Sequence, residues 1–169
     1  MLKTTGSTQT KTLDDLFEHA LKDIYYAEKR IYKALPKMIK AAHDDGLREG
    51  LEHHRSETEQ HISKLEQIFA LLEKSPKAQK CDAIDGILEE ADGILKDFGK
   101  TKSCDAAIIF SGQAVEHYEI TRYGSMQAYA NALGMTEAAE LIASVLEQEK
   151  AADQKLTDLA EDRINYAAE

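Results

Sequence analysis

Proline and glycine are scarce in this sequence, with two prolines and nine glycines in 169 residues. So little turn-forming material disfavours a fold of many short strands, because each strand would need its own turn. Alanine, leucine, glutamate, lysine and glutamine dominate instead, and these residues favour helices. The sequence therefore predicts an all-α chain, and its length is typical of one domain with a sizeable core.

Long apolar runs are missing too, and cysteine is rare. No run approaches the roughly 18 apolar residues of a membrane span, so we expect no membrane partner. The N-terminus has no apolar segment of the signal-peptide kind, and residues 1–10 are predicted to be a disordered tail before one domain at residues 11–165. Cys81 and Cys104 suit reduced thiols, and hence a cytoplasmic location, although a disulfide between them stays open.

Positive charge is in deficit, with 21 Lys and Arg against 31 Asp and Glu and a net charge of −10. This balance argues against nucleic acid or an anionic membrane surface as the main partner. It favours the attraction of cations, although solubility explains an acidic surface equally well.

Apolar residues recur at helical spacing in four long segments. These segments predict helices at about residues 12–42, 47–74, 103–132 and 136–163. Short stops separate the first pair at His43–Gly46, where Gly46 is able to take a left-handed cap, and the second pair at Leu133–Gly134. Pro36 is expected to kink the first helix without ending it.

Such short connections make each pair of helices an antiparallel hairpin. The link between the hairpins, residues 76–103, is long enough for a crossover, and a short fifth helix is predicted within it at about residues 84–98, weakened by Gly86 and Gly93. Two hairpins joined in this way predict an all-α, ferritin-like antiparallel four-helix bundle.

The apolar stripe of the second helix has a polar gap in its middle. The stripe is apolar at both ends, near Leu47 and Leu72, but carries His54, Thr58 and His61 between them. Burying ionisable groups costs several kcal/mol each unless they are paired or bind a metal. The gap therefore indicates a buried polar site.

Each of the four long helices carries an acid on its stripe near mid-length, and two of them add a second metal-binding residue four positions on, which faces the same side. The candidate metal ligands are Glu28, His54, Glu57, His61, Glu116, Glu119, Glu149 and Asp153. Acids in one core cannot all stay ionised without compensation, and two divalent cations would supply it. An oxygen-rich ligand set with one or two imidazoles suits iron, or as a second choice manganese, better than zinc.

Simpler interpretations remain for the single residues. One glutamate on an apolar stripe typically reaches solvent at the rim, and His54 alone is typical of a satisfied core histidine. His54, Gln60 and His61 compete for the second ligand position on their helix. Among the tyrosines, Tyr25 and Tyr123 are candidates to hydrogen-bond the carboxylates.

Four segments carry a family resemblance: DIYYAEKRIYKALPKM, HHRSETEQHISKLEQIF, QAVEHYEITRYGSMQAYANALG and LEQEKAADQKLTDLA. They resemble, in the right order, the YciE/YciF group of bacterial ferritin-like stress proteins over residues 11–165. The resemblance implies a bundle with an extra crossover helix, a dinuclear metal centre and a homodimer. The chain departs from the wider Glu-x-x-His pattern of di-iron bundles, since Gln60 follows Glu57 and Ala152 follows Glu149 at that spacing.

Two functional hypotheses follow. In the first, the chain is a ferritin-like stress-response protein whose carboxylate-bridged pair of iron or manganese ions reacts with peroxide or O₂. In the alternative, it is a non-enzymatic stress or interaction protein whose metal or polar core is only structural. The sequence leaves open whether the protein is an enzyme.

Overall fold

The computed structural model describes residues 10–169, which fold into helices with no strand in that range. The helices are α1 (Leu13–Ala41), α2 (Asp45–Leu71), α3 (Asp82–Phe98), α4 (Cys104–Ala132), α5 (Thr136–Leu159), a π-helical turn (Ala160–Ile164) and α6 (Asn165–Ala167). The all-α prediction is confirmed. Residues 1–9 of the predicted disordered tail lie outside the described residues, and the domain limits 11–165 stay a prediction.

Helix α1 begins where its sequence provides a cap. The Thr12 hydroxyl accepts from the Asp15 amide, and the Asp15 carboxylate accepts from the Thr12 amide at 2.8 Å, which satisfies two amides at the helix start. Pro36 lies inside α1 and does not end it. The buried face of the helix includes Phe17, Leu21 and Ile24.

The two hairpin connections are each three residues long, and their glycines serve different purposes. Gly134 has φ +71°, so it takes the left-handed conformation that is common after a helix. For Gly46 the predicted left-handed cap is wrong, because it lies in the first turn of α2. A Cβ at Gly46 would lie 2.5 Å from Nη2 of Arg163, so a larger residue there would have to displace the Arg163 guanidinium.

Packing joins the two hairpins into one bundle. Helix α1 packs against α2 and α4, and α5 packs against α4 and α2, while α3 lies outside against α4 and α1. The fold is the predicted ferritin-like bundle, with a 17-residue crossover helix. Cys81 and Cys104 are both buried free thiols. Among residues 10–169, no helix has both the length and the apolar character needed to cross a membrane.

An ion pair fastens the end of the chain to the α1–α2 connection. Asp44 caps α2 by accepting from the Leu47 amide at 2.9 Å, and Nε and Nη2 of Arg163 each donate to its carboxylate at 2.8 Å. The Arg163 guanidinium holds the pKa of Asp44 at about 2.

We expect Asp44→Asn to lower the free energy of unfolding at pH 7 by about 0.5–1 kcal/mol, because asparagine keeps the cap but loses a half-exposed ion pair. The folded-state pKa of Asp44 lies below its usual value of 3.8, so the stabilisation is complete above pH 4 and disappears as pH falls through about 2. Urea unfolding at several pH values measures the difference in the free energy of unfolding between wild type and Asp44→Asn. The control is Asp45→Asn at the exposed neighbouring position. A difference that stays constant in acid would contradict the prediction.

Candidate metal centre

Helix α2 directs two histidines into the bundle from the polar gap in its stripe. His54 and His61 are seven residues apart, or two helical turns, so they lie on the same face. Both are buried, with exposures of 6% and 0%. Thr58 between them is satisfied locally, because its hydroxyl donates to the His54 carbonyl at 2.9 Å. The polar gap is therefore an inward-facing pair of imidazoles.

The first group of converging ligands surrounds His54. It consists of His54, Glu116, Glu119 and Glu149, each of which offers one ligand atom within 4.8 Å of the others. Nε2 of His54 lies 3.4 Å from Oε1 of Glu116, and Nδ1 lies 3.9 Å from Oε2 of Glu149. All four residues are buried, so the group could hold one cation away from bulk water.

The second group surrounds His61. Nδ1 of His61 lies 3.0 Å from Oε1 of Glu149 and 3.4 Å from Oε1 of Glu28. Glu28, His61 and Glu149 all offer atoms within 4.8 Å of one another. Glu149 thus belongs to both groups and turns one oxygen toward each histidine, which is the arrangement that a bridging carboxylate requires.

Neighbouring side chains hold these ligands in place. Tyr123 donates to Oε1 of Glu28. Nε2 of His61 lies 3.2 Å from Oε1 of Gln148, and Lys64 donates to the same oxygen at 3.1 Å. Since that oxygen can only accept, the neutral ring of His61 carries its proton on Nε2, and Nδ1, which faces the carboxylates, is the ring nitrogen that could bind a metal.

Many buried side-chain atoms of the two groups lack hydrogen-bond partners among the described residues, as expected of residues that bind a cation. Nine buried atoms of these six residues have no hydrogen-bond partner within residues 10–169: Oε2 of Glu28, both ring nitrogens of His54, Nδ1 of His61, Oε2 of Glu116 and both carboxylate oxygens of Glu119 and Glu149. His61 Nδ1 is at ion-pair distance from two carboxylates but lacks hydrogen-bond geometry toward either. Each orphaned polar atom costs about 1–3 kcal/mol. Four carboxylates and two imidazoles with free lone pairs fit iron or manganese.

Burial and mutual repulsion set the protonation of the metal-free cluster. Burial, followed by the charge of Glu149, raises the pKa of both Glu116 and Glu119 well above the usual value. Burial opposes ionisation of Glu149 as well, but His61 and His54 lower its pKa. Burial opposes a charge on His61, yet Glu149 and Glu28 raise its pKa to about 10. A bound cation would replace these protons.

Six of the eight predicted ligands come together in the two groups, and Glu57 and Asp153 do not. Glu57 lies beside the first group, where it accepts from Gln148 at 3.1 Å, and its Oε2 is 4.0 Å from Nδ1 of His54. Asp153 lies at the rim and accepts from Gln113 at 3.2 Å. The ligand roles of all eight residues stay predictions.

The structure also shows the positions of the residues that the sequence left as alternatives. Gln60 is exposed, whereas His54 and His61 both face the cluster. Tyr123 hydrogen-bonds a cluster carboxylate, but Tyr25 donates to Glu66 at 2.8 Å instead. Sequence reasoning missed Gln148, whose only signal is its position next to Glu149.

Comparisons with known proteins agree on one family. The profile described as a domain of unknown function, DUF892, matches residues 12–169. Protein YciF of Escherichia coli strain K12 is 40% identical over 160 residues, which cover 94% of this chain and 96% of that protein. The predicted resemblance to YciE/YciF-type proteins is confirmed.

Solved structures extend the similarity to the fold. YcfI from Rhodopseudomonas palustris is 44% identical with a TM-score of 0.86, over 90% of this chain and 98% of that one. The E. coli stress protein YciF is 39% identical with a TM-score of 0.87, over 92% and 99% of the two chains. A protein from Xanthomonas campestris, at 21% identity and a TM-score of 0.71 over 92% and 94%, shares the fold.

Proposed function

The chain belongs to the family described as a domain of unknown function, DUF892, and from this premise we propose that it is a stress-response protein with a carboxylate-bridged dinuclear metal centre. Its ligands would be Glu28, His54, His61, Glu116, Glu119 and Glu149. Iron is the expected metal, with manganese as the second choice, and the oxidant is peroxide or O₂. The stress role rests on the similarity to the E. coli stress protein YciF.

One observation carries the proposal: the position of Glu149 between the two histidines. Its two oxygens lie 3.0 Å from His61 Nδ1 and 3.9 Å from His54 Nδ1. A single cation would need only one of the two ligand groups. A carboxylate that belongs to both groups favours two ions.

Bound iron or manganese would supply the change of oxidation state that reduces peroxide or O₂. The chain's own residues would bind the metal ions and fix the orientation of the ligand side chains. Gln148 fixes the ring of His61, Tyr123 holds Glu28, and the buried walls exclude bulk water from the carboxylates. Because Glu119 is fully buried and its oxygens find no partner within residues 10–169, it can change its coordination without breaking another bond.

Metal-free protein loaded anaerobically with Fe(II), and separately with Mn(II), tests the proposal. We expect two ions per chain by elemental analysis, and consumption of added peroxide by the loaded protein only. Asp158→Asn is the matched control, since Asp158 is an exposed acid on the same helix and its replacement should leave the stoichiometry at two. Loaded protein that holds no iron or manganese would contradict the proposal.

A purely structural role is the second candidate, favoured by the description of the similar YcfI chain, which names a structural role for that protein. It makes a different prediction in the same experiment. Metal would raise the melting temperature, but peroxide would persist at the rate of the metal-free protein.

A further inference from the structure

A cavity of about 300 Å³ extends from the metal centre toward the α1–α2 connection. All five long helices line it, and most of the lining is apolar, including Ile31, Leu51, Ile108 and Leu156. One end of the cavity is formed by His54, Glu57 and Glu116, and therefore touches the first ligand group.

The lining includes four small, half-buried residues, Ala34, Gly50, Gly112 and Ala152. Three of the lining residues, His53, Ala151 and Lys155, are exposed, and they lie on α2 and α5. The mouth of the cavity is therefore between these two helices.

The cavity also contains an unexplained hydroxyl. Ser111 lines the cavity and is 5% exposed, and its Oγ has no hydrogen-bond partner in the described part of the chain. It precedes Glu116 on α4 by five residues, or about 7.5 Å of helix axis. A buried hydroxyl without a partner costs free energy, so a ligand that bonds it would remove that cost.

We infer that this cavity binds an uncharged, mostly apolar molecule with one hydroxyl or carbonyl group, beside the first ligand group. A cavity of 150 Å³ holds benzene, so twice that volume suits roughly ten to twelve non-hydrogen atoms. The apolar walls disfavour any charged ligand, and Glu57 repels an anion at the polar end. This binding does not depend on the proposed function.

Linear alcohols test the inference by calorimetric titration of both metal-free and metal-loaded protein. Affinity should rise about fourfold per methylene, or roughly 200-fold from 1-butanol to 1-octanol, and should stop rising beyond about twelve non-hydrogen atoms. Octanoate should bind metal-free protein at least tenfold more weakly than 1-octanol.

Single-residue variants distinguish 1-octanol binding in the cavity from binding at the surface. Ser111→Leu fills the cavity and should abolish 1-octanol binding, whereas Ser111→Ala keeps the volume and should weaken binding by about 2- to 10-fold. Ala152→Leu fills the cavity from α5 in case Ser111→Leu folds poorly, and Ser144→Leu at an exposed serine should change nothing.

Three outcomes would overturn the inference: no 1-octanol binding to either form, equal binding by wild type and both filling variants, or tighter binding of octanoate to metal-free protein. Failure of the proposed function looks different, because 1-octanol would still bind a protein that takes up no metal.

Discussion

Glu149→Gln is expected to reduce the bound metal from two ions per chain to at most one. Glutamine keeps the shape of the side chain but cannot bridge two cations as an anion, and the lost carboxylate faces both histidines. At a free metal concentration 100 times Kd, binding stabilises a protein by about 2.7 kcal/mol per site. For a chain of this length that raises the melting temperature by roughly 5–10 °C per site. The variant should lose most of this increase.

Glu147→Gln is the matched control for that experiment. Glu147 is on the same helix, but its side chain is 73% exposed and pairs with Lys150 on the surface. Its replacement should leave both the metal content and the metal-dependent melting temperature unchanged. Two ions bound by Glu149→Gln with wild-type affinity would reject the bridging role.

Glu119→Met should stabilise the metal-free protein, by about 1–3 kcal/mol. Both carboxylate oxygens of Glu119 are buried and without a hydrogen-bond partner in residues 10–169. Replacing buried ionisable groups by apolar residues of similar size is often stabilising, and methionine adapts to the space. Chemical denaturation of the metal-free proteins measures the gain, which corresponds to a melting temperature higher by roughly 2–12 °C.

The same variant should gain less than wild type when metal is added, because it has lost one ligand of the first group. Glu140→Met, at an exposed position on α5, should change the stability by less than about 0.5 kcal/mol. A metal-free Glu119→Met protein less stable than wild type would show that Glu119 makes a stabilising interaction, and would contradict the view that its carboxylate is unsatisfied without metal.

Helical periodicity was sufficient to predict the bundle, because long stripes and short stops leave few arrangements. Helix α4 spans Cys104–Ala132, within one residue of its predicted start and at its predicted end. What the stripe could not show is that α4 is covered on several sides, by α1, α3 and α5. An apolar stripe in a sequence predicts one buried face of a helix. Because α4 contacts three other helices, it has more than one buried face.

The number of helices that cover each helix also explains which predicted ligands lie in the two groups. Glu116 and Glu119 are both buried because α4 is covered so widely, whereas Glu57, on the less covered α2, lies beside the cluster. Asp153 has the right spacing from Glu149, but Gln113 and His117 hold its oxygens at the rim. Spacing along one helix predicts direction, but the partner that a side chain finds depends on the neighbouring helices.

Helix α3 has the weakest attachment of the five long helices. Only Ile84 and Ala91 of its 17 residues are fully buried, and Gly86 and Gly93 face open space, where each costs helix stability without a gain in packing. Its Leu88 and Ala91 form part of the cavity wall. We therefore expect α3 to be the first of the long helices to unfold locally, while both hairpins stay folded. Such opening would expose the cavity at Leu88 and Ala91, and would give small molecules a second route to it besides the mouth between α2 and α5.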